Sequence, residues 1–412
     1  MRANVVRRKL IKPSSPTPQN LQNYKISCID ELAPSTNIGV ILFYPSKPPR
    51  ITQKLEESLQ KILPQFYVLA GRYIKTDQSI NCSDEGVEFV EAEAPDVELA
   101  NIVGTSEQLN DLLPRRSHQM DGESDPLLSV QITHLKCGGL VIGVSVSHRI
   151  FDTCSLSTFI SAWWNASSSS GPDAIPTFYE STALFPGRNW SKVESSRTEG
   201  NHGIVCRRFC FNKEGIDRAR SKLRVKDGGG MVSKVVVVSA VIAKALIGRS
   251  GDGCYISHAV NMRGRTVPPL QKHACGNIVL QAVSSCPAGP EMGIQGLVDL
   301  MEEAIGKAIA KCSRIGFGGA SLKPVANALP GVGATTLWFS DWSKFGFYEA
   351  DFGWGKPVWV GVAPMHAQDM TILMGNGDGD GIEAWVHLSK EDMKVFEQNQ
   401  DIRPFVTYDS NR

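Results

Sequence analysis

Leu140-Val-Ile-Gly-Val-Ser-Val-Ser-His-Arg-Ile-Phe-Asp152 reads as one apolar strand that ends at His148 and then turns. Residues 127–135 precede it as a second strand, with the turn Lys136-Cys-Gly-Gly139 between them. After Asp152, residues Leu156, Phe159, Ile160, Trp163 and Trp164 fall on one helical stripe. A strand pair feeding an amphipathic helix predicts a mixed α/β fold. A side chain at the end of a buried strand is firmly placed yet opens toward a cleft. Histidine takes up a proton near neutral pH, so His148 is the candidate general base. Plainer readings stand beside this one. With eight histidines in the chain, an H-x-x-x-D arises by chance in roughly a third of such sequences. His148 alone fits a satisfied, half-buried core histidine, and Asp152 sits where a helix N-cap belongs.

Working outward, residues 51–63 carry Ile51, Leu55, Leu59, Ile62 and Leu63 at helical spacing, and Pro64 stops them. Strands are expected at 26–29, 40–43 and 86–90. The run Asn165-Ala-Ser-Ser-Ser-Ser-Gly-Pro172 breaks the pattern, and periodicity returns near Ile204. The expected division is therefore a domain at 1–200, with a linker at about 165–200, and a domain at 201–412. The second part predicts strands at 204–211 and 255–260 and helices at 215–223, from Val232 and at 293–311. Further strands are expected near Thr335, Val358, Met370 and Ile382. The 412 residues suit two domains of roughly 200 residues each.

Lys and Arg number 43 against 42 Asp and Glu, a net charge of +1, which argues against a nucleic-acid partner. The start is basic (Arg2, Arg7, Arg8, Lys9, Lys12) and no signal-like apolar run follows; residues 235–247 are too short to span a bilayer. The protein is expected to be cytosolic and monomeric, without a membrane partner. Ten cysteines lack a C-x-x-C pair, so reduced thiols are expected. His202, Cys206 and Cys210 recur every four residues, but on a strand that step is about 13 Å, too far for one metal ion. No metal site is expected. Gly375-Asn-Gly-Asp-Gly-Asp-Gly381 lacks the ligand spacing of a calcium loop and predicts a hairpin turn. No G-x-S-x-G elbow or phosphate loop is present.

A second string, Asp351-Phe-Gly-Trp-Gly355, stands far from the first. Together H-x-x-x-D and D-F-G-W-G resemble the BAHD family of plant acyl-CoA-dependent acyltransferases. The resemblance runs nearly end to end. It takes in Leu63-Pro-Gln-Phe-Tyr-Val-Leu-Ala-Gly-Arg72, Asn261-Met-Arg-Gly-Arg265, Gly276-Asn277 and Gly381-Ile-Glu-Ala-Trp385. Within the family it looks closest to the vinorine-synthase-like alkaloid acetyltransferases.

The resemblance implies two chloramphenicol-acetyltransferase-like domains with a solvent channel between them. It implies acetyl-CoA or another acyl-CoA as co-substrate, a small-molecule alcohol as acceptor and no permanently bound cofactor. His148 would take the acceptor's proton, with no covalent enzyme intermediate. Asp152 would point away from substrate and pair with Arg263 to hold the loop. Asp351, Gly353, Trp354 and Gly355 would support the fold. Ser340 and Trp342 would lie near the oxyanion. Thr153 stands where most members have glycine, and the stretch 312–329 is compressed. The expected function is O-acetylation of an alkaloid-like alcohol of plant specialised metabolism. The alternatives are an N-acyltransferase or malonyl-transferring relative, and a catalytically silent homologue that acts as a binding protein.

Overall fold

Eight residues, Leu140–Ser147, supply a fully buried strand because both faces of the sheet are covered there. The same holds for Asn-Ile-Gly-Val-Ile-Leu-Phe-Tyr at 37–44, where every residue is buried. Continuous β-branched and aromatic runs of this kind belong in the middle of a sheet. The computed structural model describes residues 3–102, 106–115, 122–168, 175, 177–188, 203–224, 230–247, 253–287, 292–315, 335–365 and 367–407.

In chain order the elements begin with β1 (Asn4–Ile11), β2 (Asn23–Lys25), β3 (Asn37–Tyr44), α1 (Ile51–Ile62), β4 (Arg72–Ile74) and β5 (Ser79–Asn81). Next come β6 (Val87–Ala94), β7 (Leu128–Leu135), β8 (Leu140–Ser147), α2 (Thr153–Ser167) and α3 (Ser181–Leu184). Then follow β9 (Ile204–Phe211), α4 (Lys213–Arg220), α5 (Lys234–Ile247), β10 (Cys254–Asn261), β11 (Val279–Cys286) and α6 (Ile294–Cys312). The chain ends with β12 (Thr336–Asp341), β13 (Trp359–Val362), β14 (Met370–Gly375), β15 (Ile382–Ser389) and α7 (Lys390–Gln398).

The first unit comprises Met1–Arg197, Gln271–Ile278 and Phe345–Met365. Its main sheet runs β1-β6-β7-β8-β3-β13 and is antiparallel except for the β6–β7 pair. A small sheet, β2-β5-β4, accompanies it. Helix α1 buries Ile51, Leu55, Leu59 and Ile62, and α2 buries Leu156, Phe159, Ile160 and Trp163; the two helices pack on each other. The basic start of the chain is β1, where Arg8 meets Glu88 at 2.8 Å and Arg7 meets Glu91 at 3.2 Å. Its run of three cations, Arg7-Arg8-Lys9, conceals it as a strand in the sequence.

The second unit comprises Thr198–Leu270, Val279–Lys344 and His366–Arg412. Its sheet runs β11-β10-β12-β14-β15-β9, with β10–β12 and β12–β14 parallel. Helix α5, Lys-Val-Val-Val-Val-Ser-Ala-Val-Ile-Ala-Lys-Ala-Leu-Ile, is buried almost all round, as expected of a helix inside a core. The glycine run at 375–381 is a turn between β14 and β15, closed by Gly379 N–H to Asn376 O at 3.0 Å.

The division at residue 200 needs correction. Asp351–Gly355 and β13, expected in the second domain, belong to the first unit, as do residues 271–278. The β3–β13 ladder pairs Trp359 with Phe43 and Val362 with Val40, a long-range pairing that no local pattern announces. The expected linker at 165–200 is also partly structured. Helix α2 continues to Ser167, and residues 177–188 bury Leu184 and Phe185. The rest of that linker, His202 and most of the compressed stretch lie outside the described residues. The strand expected at 26–29 is instead a turn, and the short strand lies at Asn23–Lys25. There the Asp30 carboxylate takes the Ser27 N–H at 2.9 Å and its hydroxyl at 2.7 Å, which bends the chain. Cys206 and Cys210 lie on β9, and the described residues hold no metal-binding group of His, Cys, Asp and Glu. Among the described residues no helix is long and apolar enough to cross a membrane.

Candidate active site

His148 follows the last residue of β8. Its N–H donates to Thr36 O at 2.8 Å, so the residue is tied to the loop entering β3. The ring Nδ1 lies 3.1 Å from Phe151 O. A carbonyl only accepts, so Nδ1 carries the proton and Nε2 keeps its lone pair. Burial pushes the imidazole below its ordinary value of 6.5. The charge of Asp152, the carbonyls of His148 and Phe151 and the Asn277 side chain act in the opposite direction. The ring is thus held neutral, in one tautomer, by a rigid turn.

Asp152 is the N-cap of α2. One carboxylate oxygen accepts from Ser155 N–H at 2.8 Å and from the Ser155 hydroxyl at 2.9 Å. The other accepts from Ile278 N–H at 3.1 Å. These bonds couple the helix start to residues 276–278, where Gly276 N–H also donates to Ser155 Oγ at 3.1 Å. Asp152 is 5% exposed, and its carboxylate accepts from both backbone and hydroxyl donors. Its charge favours the protonated form of His148. Thr153 begins α2 in ordinary helical backbone, a conformation that needs no glycine.

Asp351 takes three backbone N–H groups on one oxygen: Gly353 at 2.8 Å, Gly355 at 2.9 Å and Trp354 at 3.1 Å. Partial burial opposes its ionisation, but the N–H groups of Gly355, Gly353 and Trp354 and the Lys356 charge hold the carboxyl below its usual value. Gly353 at φ +102° and Gly355 at φ +111° supply a turn that side chains resist. The loop is anchored by Tyr44 OH donating to Ala350 O at 2.7 Å and by Ser167 Oγ donating to Phe352 O at 3.1 Å. Phe352 meets Trp163 edge-on at 5.0 Å between centroids. This constellation ties the loop to β3, α1 and α2.

The other sequence-predicted residues lie in the second unit. Ser340 and Trp342 sit at the end of β12, and the indole N–H donates to Ser340 Oγ at 2.9 Å. Arg263 follows β10, and its N–H and Nη1 both donate to Asn261 Oδ1, at 3.0 and 3.1 Å.

Two residues beside His148 escaped assignment. Asn277 Nδ2 donates to His148 O at 2.8 Å, and Asp30 accepts from that same Nδ2 at 2.9 Å. Gly276-Asn277 stands out in the sequence as a string, but its place against His148 depends on 129 residues of separation.

A family model described as "Transferase family" matches residues 1–402. The chain is 41% identical to the pelargonidin 3-O-(6-caffeoylglucoside) 5-O-(6-O-malonylglucoside) 4'''-malonyltransferase of Salvia splendens, over 99% of this chain and 100% of the relative. It is 33% identical to a limonoid 21-O-acetyltransferase of Melia azedarach, over 98% and 97%. The crystal structure of vinorine synthase covers 100% of both chains at 30% identity with a TM-score of 0.85.

Proposed function

The chain belongs to the Transferase family, the BAHD acyltransferases, and from that premise we propose that it acylates a hydroxyl of a plant specialised metabolite, with His148 as general base and acyl-CoA as donor. The observation that carries this reading is the Nδ1–H to Phe151 O bond, which leaves Nε2 as the free base. Nε2 takes the hydroxyl proton as the oxygen attacks the thioester carbonyl carbon. The tetrahedral oxyanion then collapses, the C–S bond breaks, and the thiolate of CoA receives the proton from the imidazolium. Ser340 and Trp342 are the groups we assign to the oxyanion. Asp152 holds the turn that carries His148. In this reading the enzyme works as a cytosolic monomer.

Acetyl-CoA with an alkaloid-like alcohol is the first reading of the substrates, and relatives named as O-acetyltransferases support the donor. Malonyl transfer is a second reading. It is supported by the malonyltransferase at 41% identity and by the buried cation that follows the base in the chain. Arg149 is 4% exposed, lies over the Tyr73 ring at 3.9 Å, and has Nε and Nη1 buried without a hydrogen-bond partner. Free CoA released from acetyl-CoA or malonyl-CoA, measured against a panel of alcohols with product mass, tests both. His148→Ala is expected to lose at least about a hundredfold in turnover while keeping its melting temperature. Near-native turnover in that variant would overturn the mechanism. Arg149→Met is expected to weaken malonyl transfer selectively; equal loss with both donors would remove the second reading.

A further inference from the structure

We propose that Asn277, aimed by Asp30, is a positioning residue for His148 that both fixes the backbone of the base and presents a buried oxygen dipole to its ring. The proposal deepens the reading of His148 as general base and rests on it.

Asp30 Oδ1 accepts from Asn277 N–H and from Asn277 Nδ2, both at 2.9 Å. The same Nδ2 donates to His148 O at 2.8 Å. Nδ2 thus faces two oxygens, and turning the amide over would set Oδ1 against a carboxylate and a carbonyl. The orientation is decided by charge as well as by shape. Asp30 is itself tied down by Ser27 on its other oxygen. Asn277 is 2% exposed, and its Oδ1 is buried with no hydrogen-bond partner. A buried acceptor left open in this way is costly unless something uses it.

With Nδ2 on the His148 carbonyl, the Asn277 side chain lies against the base, and it favours the protonated form of the imidazole. Asp152 and the carbonyls of His148 and Phe151 act on the ring in the same sense. During transfer the ring becomes an imidazolium, and an oxygen dipole already oriented toward it needs no rearrangement. Gly276, at φ +131°, delivers Asn277 to this place: a Cβ there would lie 2.7 Å from Ser181 Oγ. The arrangement has the logic of a carboxylate or amide that orients a catalytic histidine, but it works through the carbonyl of His148 as well as through its ring.

The test uses the full chain in two variants, Asn277→Ala and Asp30→Asn. The first readout is the titration of the His148 ring by NMR, assigned by its loss in His148→Ala, and it needs no substrate. Asn277→Ala is expected to lower the ring's pKa further, because a group that favours the charged form is gone. Asp30→Asn is expected to shift it in the same direction by less. The second readout is steady-state kinetics with whichever acyl-CoA and alcohol the wild type turns over. There kcat is expected to fall about tenfold to a hundredfold with KM changed much less, and the acid limb of the pH profile should move down with the ring. An unchanged His148 titration in the folded variants would overturn the proposal. So would a shifted titration with unchanged kcat. If one variant does not fold, the other decides. If no acyl transfer is found with any donor, the general-base reading fails on its own, while the NMR titration still judges whether Asn277 acts on His148.

Discussion

His148 donates from Nδ1 and is held below its ordinary pKa by burial. The free base is therefore the dominant form at neutral pH, and kcat/KM should stay flat there and fall only on the acid side of 6.5. A rate profile with its acid limb above that value would contradict the burial argument. Asp152 predicts a different signature. Removing it takes this acceptor from Ser155 N–H and Ile278 N–H and leaves Ser155 Oγ to Gly276 O, at 3.0 Å. Asp152→Ala should lose about 1–3 kcal/mol of stability as well as rate, measured by denaturant unfolding beside turnover. Asp30 titrates in the opposite sense to most carboxylates. Burial raises it from 3.8 to about 6 against its hydrogen bonds to Ser27 and Asn277. Stability linked to its protonated form is fully present below 3.8 and lost as pH rises through about 6. The wild type should thus lose up to about 3 kcal/mol between pH 4 and pH 7.5 relative to Asp30→Asn, read from unfolding at each pH.

The Asp351 loop works at the scale of elements. One carboxylate oxygen gathers three N–H groups, and the aromatic residues around it join a turn to a strand and two helices. Gly353→Ala places a Cβ on backbone at φ +102° and 3.1 Å from Lys54 Nζ. That change should lower stability by about 1–2 kcal/mol. Trp163→Ala should cost more, about 3–5 kcal/mol, because the indole is fully buried and donates to Leu55 O and Ser58 Oγ. In Gly353→Ala, kcat per folded molecule should stay close to wild type; a large fall in kcat with full stability would give the loop a catalytic part. Most elements around the loop were legible beforehand. The stripe of α1 and the β7–β8 pair follow from periodicity. Strand β1 was not, because an edge strand with exposed cations carries no apolar alternation.

The whole molecule is interleaved. The first unit is completed by residues 271–278 and 345–365. A fragment of residues 1–200 would lack β13 and leave β3, buried along its full length, as a bare apolar edge. It would also lack Ile278, whose N–H donates to the Asp152 carboxylate. We expect that fragment to aggregate, and a soluble, cooperatively unfolding fragment would show that the returning segments are dispensable. Family membership sets the reaction class, while donor and acceptor depend on side chains that many loops bring together.

The order of apolar and polar residues by itself determined most of the strands, the main helices, the position of His148 at a strand end and the capping place of Asp152. These are local properties, set by side-chain period and by chemistry at element ends. Only the tertiary structure decided that Asp351–Gly355 serves the first unit, that Nδ1 rather than Nε2 of His148 is occupied, and that Asn277 and Asp30 stand behind the base. Each of these depends on contacts between residues far apart in the chain. The hydrogen bonds that create them have no periodic trace, and a buried acceptor such as Asn277 Oδ1 has meaning only when its surroundings are known.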